Sequence, residues 1–115
     1  MTDFTSERSV VSDGRGLIEL SGEVDLYTAP RFKDDLIALI DAGVADIVID
    51  LSRVTFIDST ALGVLIGGVR RVNAAAGAMT LVVTSRPVER VLSITGLDRV
   101  FTIHESLEDA IAALA

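Results

Sequence analysis

The chain has 115 residues, half of them hydrophobic, and it contains no cysteine. That length and composition fit one folded domain and exclude disulfides, thiol catalysis and cysteine-ligated metal sites. The formal net charge of −7 argues against nucleic acid or an anionic membrane as a partner, because binding to either needs clustered Lys and Arg.

The chain begins with two short apolar segments separated by a turn signal. Val10 and Val11 lie before Asp13-Gly14, and the apolar run at residues 17–20 follows it. Asp-Gly between two such segments predicts a β-hairpin. Residues 21–27 are then predicted to leave the second strand as a loop.

The first helix is predicted from a cap, a proline and a periodic pattern. Thr28 is the predicted N-cap, Pro30 suits a first turn, and Gly43 ends the segment as a C′ glycine does. The apolar residues between them recur at helical spacing: Phe32, Leu36, Leu39 and Ile40.

The middle of the chain predicts a buried strand followed by a long helix. Residues 47–51 are short, β-branched and almost wholly apolar, which is typical of a strand buried on both faces. Residues 53–58 lead into a helix from about Ser59 to Ala76, with Gly77 as its stop.

The last part of the chain continues the alternation. Residues 80–83 predict a strand, Pro87 opens a helix that closes at Gly96, and residues 100–103 predict a further strand. A final helix begins after Ser106, its predicted N-cap, with Asp109 at the N3 position.

This order predicts one α/β domain over residues 1–115, built on a mixed, mostly parallel sheet of about five strands with about four helices. Periodicity also predicts which side chains are buried. They are Ile18, Leu20, Ile47, Ile49, Leu62, Leu65, Val69, Leu81 and Val83.

The segment with most chemistry lies between the middle strand and its helix. Asp58, Ser59 and Thr60 place an acid and two hydroxyls at the helix start. The simplest interpretation is a helix cap, since all three residue types accept hydrogen bonds from first-turn amides. A helix N-terminus also accommodates a phosphate, because free N–H groups and the helix dipole stabilise negative charge there.

The helix carries two distinct faces. Leu62, Leu65, Val69, Val72 and Ala76 share one face that suits the core. A second face is nearly bare of bulk, and it contains Ser59, Gly63, Ile66, Gly67, Arg70 and Ala74. Either the glycines on this face let the helix approach its own sheet closely, or the face is a docking surface for a partner. In the second case we expect Ile66 to provide the apolar contact and Ser59 to control binding.

Taken together, these motifs resemble the anti-sigma factor antagonists, a bacterial family whose fold is called the STAS domain. The resemblance covers roughly residues 16–110 and is closest to actinobacterial members, whose pattern reads Asp-Ser-Thr-Gly-Leu-Gly-Val-Leu. The segments that carry it are residues 20–25, 28–30, 56–65 and 94–97.

The resemblance implies a small sheet with its helices packed on one side and phosphorylation at Ser59. It implies a kinase that is the anti-sigma factor itself, with the histidine-kinase-like ATPase fold, and a PP2C-type phosphatase that reverses the mark. The unmodified protein would bind the anti-sigma factor and free the sigma factor. Thr60 is a second possible acceptor.

Two details qualify the resemblance. Ala61 stands where the family usually has glycine, so its methyl group is expected either to favour the helix or to crowd the kinase surface. The acids of the preceding loop, Glu23 and Asp25, are either solvated or part of the partner-binding surface, together with Asp58, Thr60, Gly63, Ile66, Gly67 and Arg70.

Other functions find little support in the sequence. His104 is the sole histidine, which favours a structural role over a metal site or a catalytic triad. The sole lysine, Lys33, lies too early for a response-regulator receiver, and no phosphate-binding glycine loop is present. We therefore expect no enzyme activity, metal or cofactor.

Location and switching are the last two expectations. Residues 1–8 lack the features of a signal peptide, and the longest apolar stretch, residues 61–69, is too short to span a bilayer. A cytoplasmic location is therefore expected. The main alternative to a switch is a STAS scaffold or sensor module that is never phosphorylated.

Overall fold

The structure, a computed structural model, describes residues 3–114. Its strands are β1 (Thr5–Ser12), β2 (Arg15–Val24), β3 (Asp46–Ile57), β4 (Ala78–Val82) and β5 (Thr102–His104). Its helices are α1 (Ala29–Asp41), α2 (Ser59–Ala74), α3 (Arg86–Ile94), a 3-10 turn (Leu97–Arg99) and α4 (Leu107–Ala113). Met1, Thr2 and Ala115, which the sequence prediction includes in the domain, lie outside the described residues.

The five strands form one mixed sheet in the order β1-β2-β3-β4-β5. Only β1 and β2 are antiparallel, and the predicted hairpin joins them. Its turn uses Gly14 at φ 72°, a left-handed conformation that glycine adopts without steric cost. The remaining neighbours are parallel, so the predicted α/β class and mixed sheet are confirmed.

The larger core lies between one face of the sheet and three helices. Side chains of β2, β3 and β4 meet Phe32 and Leu36 of α1, Leu65 of α2, and Val88 and Leu92 of α3 there. The predicted core residues are buried as expected except Leu62, which is half-buried at the edge of this cluster.

The fourth helix lies on the other face of the sheet. Ala110 of α4 packs with Leu17, Val48 and Val82, and these alternate along their strands with residues of the larger core. Because neighbouring strand residues point to opposite faces, α4 must cover the second face. The expectation that all helices pack on one side is therefore wrong for α4.

Two strands run further than the sequence pattern predicts. Residues 21–24, predicted as a loop, continue β2, and residues 53–57 continue β3. The parallel pairs Glu23–Phe56 and Val24–Ile57 hold both segments extended. The longer strands place the start of α2 next to the loop that follows β2.

Thr28 does not cap α1, contrary to the prediction. Its hydroxyl donates to the carbonyl oxygen of Glu23 at 2.8 Å and accepts from the N–H of Asp25 at 2.9 Å. Thr28 therefore closes the loop between β2 and α1 instead of satisfying the helix amides.

The end of α2 also differs from the prediction. The helix stops at Ala74, and Ala76 takes a left-handed conformation at φ 59°. Gly77 is required for space, because a Cβ atom there would clash with the carbonyl oxygen of Ala45. Further on, the 3-10 turn occupies the residues before β5, so this strand begins at Thr102 rather than Val100.

Within residues 3–114, no helix combines the length and the apolar character needed to cross a membrane.

Candidate functional site

The site begins where β3 passes into α2. Asp58 is the N-cap of α2, and its Oδ1 atom accepts a hydrogen bond from the N–H of Ala61 at 3.0 Å. The N–H of Asp58 donates to the carbonyl oxygen of Val24 at 3.2 Å, which ties the helix start to the end of β2. The capping interpretation of this segment is therefore correct for Asp58.

Ser59, by contrast, has no capping role. It is the first residue of α2, it is exposed, and its hydroxyl makes no hydrogen bond to any described residue. The backbone N–H groups of Ser59 and Thr60 also have no hydrogen-bond acceptor among residues 3–114. An exposed hydroxyl beside free helix amides is a favourable position for an added anionic group.

The loop after β2 is folded against the helix start by two carboxylates. Asp25 Oδ1 accepts from the N–H groups of Tyr27 and Thr28, at 2.9 and 3.1 Å. Asp58 Oδ2 accepts from the N–H of Leu26 at 3.0 Å. The structure thus brings the predicted acid Asp25 into the element that adjoins the Ser59 helix.

The same loop presents two large apolar side chains to solvent. Leu26 is 62% exposed and Tyr27 is 87% exposed. Sequence reasoning did not select them, although two bulky residues within a polar turn are a usable signal. Exposed apolar groups next to a possible modification site suggest a contact surface.

The outer face of α2 is as bare as predicted. Gly63, Gly67 and Arg70 are exposed, while Thr60 and Ile66 are half-buried. A Cβ atom built on Gly63 or Gly67 would meet nothing within 4 Å. These glycines are not needed for packing within the domain. Gly68 is, since a Cβ there would lie 2.5 Å from Leu36 Cδ2 of α1 and 3.2 Å from Met79 Sδ of β4.

We call Ser59, Thr60, Gly63, Ile66, Gly67 and Arg70 the switch surface. It adjoins a groove of about 770 Å³ between α1 and α2. On the α2 side the groove is lined by Thr60, Gly63 and Val64, and on the α1 side it is lined by Pro30, Lys33 and Ile37. The α1 side was not predicted, because the pairing of the two helices is not encoded in either segment alone.

Ala61 lies on the opposite side of α2 from the switch surface. It is 1% exposed and belongs to the larger core. Its methyl group therefore cannot crowd a partner that approaches the outer face.

Metal ligands are not gathered in the described part of the chain, where no group of three or more His, Asp or Glu residues could hold an ion. His104 lies at the end of β5, and its Nε2 atom is buried without a hydrogen-bond partner among residues 3–114. Neither observation adds a catalytic group to the site at α2.

The sequence of this chain is similar to a known domain family and to individual members of it. Residues 8–110 match the STAS domain. An anti-sigma-B factor antagonist of Bacillus subtilis is 34% identical over 94 residues, which cover 82% of this chain and 85% of that protein.

Two solved structures are similar along nearly the whole chain. An anti-sigma factor antagonist from Mycobacterium paratuberculosis has 30% identity and a TM-score of 0.87, covering 96% of this chain and 93% of that one. The Bacillus cell fate determinant SpoIIAA in its phosphorylated form has 24% identity and a TM-score of 0.78, covering 96% and 100%. At that identity the second likeness shows a shared fold.

Proposed function

This chain belongs to the STAS domain family, and from that premise we propose that it is an anti-sigma factor antagonist controlled by phosphorylation of Ser59. Its unphosphorylated form binds an anti-sigma factor serine kinase of the histidine-kinase-like ATPase fold in the cytoplasm, and the sigma factor is released. A PP2C-type phosphatase restores the binding form. The protein itself catalyses nothing and needs no cofactor.

The observation that carries this proposal is the division of roles between Asp58 and Ser59. Asp58 satisfies the cap of α2, so the hydroxyl of Ser59 remains exposed and without a bond to described residues. A serine needed for capping would resist modification, because phosphorylation would break a stabilising hydrogen bond. Ser59 is under no such constraint.

The surroundings of Ser59 suit a docked partner. With no side chain at Gly63 and Gly67, a partner backbone can approach α2 closely, and Ile66 provides an apolar contact. Leu26 and Tyr27 extend this surface on the loop held by Asp58. Burial of such apolar groups supplies binding free energy, and the small residues supply the fit.

Phosphorylation would act on the complex more than on the fold. The added charge of about −1.5 to −2 lies at a helix N-terminus, which favours it. In a docked complex the same charge would be desolvated and close to Asp58. A desolvated, unpaired charge costs several kcal/mol, so an affinity loss of about a hundredfold or more is expected.

The test uses purified protein, the anti-sigma factor kinases of the source organism and ATP. Mass spectrometry is expected to find phosphate on Ser59, and calorimetry to show weaker binding of the modified form. Ser59→Ala should bind without being released, Thr60→Ala tests the second hydroxyl, and Ser12→Ala on the exposed end of β1 is the control. Modification outside residues 59 and 60, or equal affinity of both forms, would leave the non-switching scaffold as the function.

A further inference from the structure

A second groove lies between the end of β3 and the outer face of α3. It encloses about 1010 Å³, and its lining includes Phe56, Arg86, Pro87, Arg90, Val91 and Ile94. We call it the α3 groove. Its residues do not overlap with those of the groove between α1 and α2.

The α3 groove exposes apolar side chains that the fold does not use. Ile94 is 78% exposed and Phe56 is 47% exposed, although α3 already buries Val88 and Leu92 in the core. Pro87 is also exposed, and Val91 is half-buried. All four of these exposed or half-buried residues line the same groove, so its floor is largely apolar. Exposed apolar side chains gathered in one concave place offer a partner area to bury.

The two arginines of the groove are placed against the preference of the helix. Arg86 begins α3, where the helix dipole disfavours a cation, and Arg90 lies one turn later at i+4, where like charges repel. Neither forms an ion pair with a described residue; Glu89 lies beside them without reaching salt-bridge distance. Residues placed against local stability are expected at functional surfaces.

The charges also indicate what occupies the groove. The chain carries a net charge of −7, whereas the lining of the groove holds two arginines against one carboxylate, that of Glu89. The local charge of the groove is therefore opposite in sign to that of the molecule. A segment with apolar side chains on one face and carboxylates at its edge matches both features.

The α3 groove lies close to Ser59 along the chain, because Phe56 lines it. Phe56 lies near the end of β3, two residues before Asp58 and three before Ser59. A protein docked at Ser59 is therefore close enough to place a second segment in this groove. We propose that the α3 groove binds an acidic, amphipathic segment of the protein that docks at the switch surface. The partner's identity rests on the proposed function, whereas the chemistry of the groove does not.

The first experiment needs no natural partner. The ¹⁵N-labelled protein is titrated with a helical peptide that has Leu on one face and Glu on the other, and with a matched peptide that has Lys in place of Glu. We expect the acidic peptide to shift the amide signals of Phe56 and of α3. The double variant Arg86→Glu/Arg90→Glu should weaken its binding about tenfold or more. Ile94→Ser should also weaken it, while Arg99→Glu, an exposed arginine outside the groove, should change it little.

The second experiment uses the kinase that phosphorylates Ser59. The double variant should raise its dissociation constant about tenfold or more, yet a saturating kinase concentration should still modify Ser59. If no kinase modifies Ser59, the proposed function fails. The peptide titration still shows whether the α3 groove binds an acidic, amphipathic segment.

Several results would overturn the inference. They are equal binding of the acidic and basic peptides, shifts confined to other elements, or no effect of the double variant on either partner. Binding to phosphatidylglycerol vesicles that the double variant abolishes would identify a membrane surface instead. A concentration-dependent dimer abolished by the same variant would identify a second copy of the chain.

Discussion

The side chain of Asp58 joins its own helix to a residue that lies 32 positions earlier in the chain: Oδ2 accepts from the N–H of Leu26, while Oδ1 accepts from the N–H of Ala61. One carboxylate therefore caps α2 and fixes the loop that exposes Leu26 and Tyr27. An asparagine can replace only one of these two acceptors, because its second polar atom is a donor.

Asp58→Asn should lower the free energy of unfolding by about 1 kcal/mol and release the loop as well. Urea denaturation measures the first effect, and the amide signals of Leu26 and Tyr27 report the second. Ser106→Ala is the matched control, since the Ser106 side chain caps α4 by accepting from the N–H of Asp109 and makes no other hydrogen bond within residues 3–114. A control that disturbs the loop equally would show that the loop responds to stability alone.

The adjacent glycines of α2 should respond in opposite ways to a methyl group. Gly67→Ala should stabilise the fold by about 0.5–1 kcal/mol, since the added Cβ meets nothing and alanine favours a helix. Gly68→Ala should destabilise it by about 1–3 kcal/mol, because the Cβ would press on Leu36 Cδ2. Thermal unfolding of both variants tests this pair.

A larger side chain separates folding from binding at the same position. Gly67→Leu should keep the stability of the native protein and still weaken the partner complex about tenfold or more, because it fills the switch surface. Calorimetry with the kinase measures the affinity. Full affinity in a folded Gly67→Leu protein would place the interface elsewhere.

A negative charge at Ser59 should leave the isolated domain intact. Ser59→Asp is expected to change the free energy of unfolding by no more than about 0.5–1 kcal/mol, in the stabilising direction, because the charge interacts with the N-terminus of α2. Denaturation at low and high salt should show the gain disappear as the charge is screened. A loss of more than about 1 kcal/mol would mean that phosphorylation works by unfolding the helix.

The turn after α2 offers a pair of opposite substitutions. Ala76→Gly should stabilise the protein by about 0.5–1 kcal/mol, because it relieves a left-handed alanine at φ 59°. Gly77→Ala should cost about 3 kcal/mol or more, since its Cβ would lie far inside the contact distance of the Ala45 carbonyl oxygen. Equal effects in the two variants would contradict a left-handed Ala76 followed by a tightly packed Gly77.

The local parts of the site were predictable and the long-range parts were not. A helix cap among residues 58–60 and the bare outer face of α2 follow from residues within one segment, so the sequence pattern is sufficient for them. That Asp58 is the cap and Ser59 is left without a bond to described residues was not predicted, because all three side chains can accept from first-turn amides. The bond between Leu26 and Asp58 and the groove beside Lys33 depend on how β2, α1 and α2 assemble. No periodicity within one element contains that information.

The fold shows the same division. A short, almost wholly apolar run identified the centre of β3, whose Ile47, Val48 and Ile49 are fully buried. Its true end at Ile57 depends on parallel pairing with β2, which a pattern in β3 alone does not reveal. Burial of β3 on both faces already required a cover for the second face, and α4 provides it.

The uneven cover of the sheet has a consequence for motion. Three helices protect one face, whereas the apolar patch of Leu17, Val48 and Val82 on the other relies on the seven-residue α4 near the chain end. So short a helix is not stable alone in water, and its amides should exchange with solvent through local opening well before the whole domain unfolds. Each such opening uncovers the apolar face formed by Leu17, Val48 and Val82. We therefore expect the tendency of this protein to aggregate at high concentration to depend on the docking of α4 more than on the free energy of global unfolding.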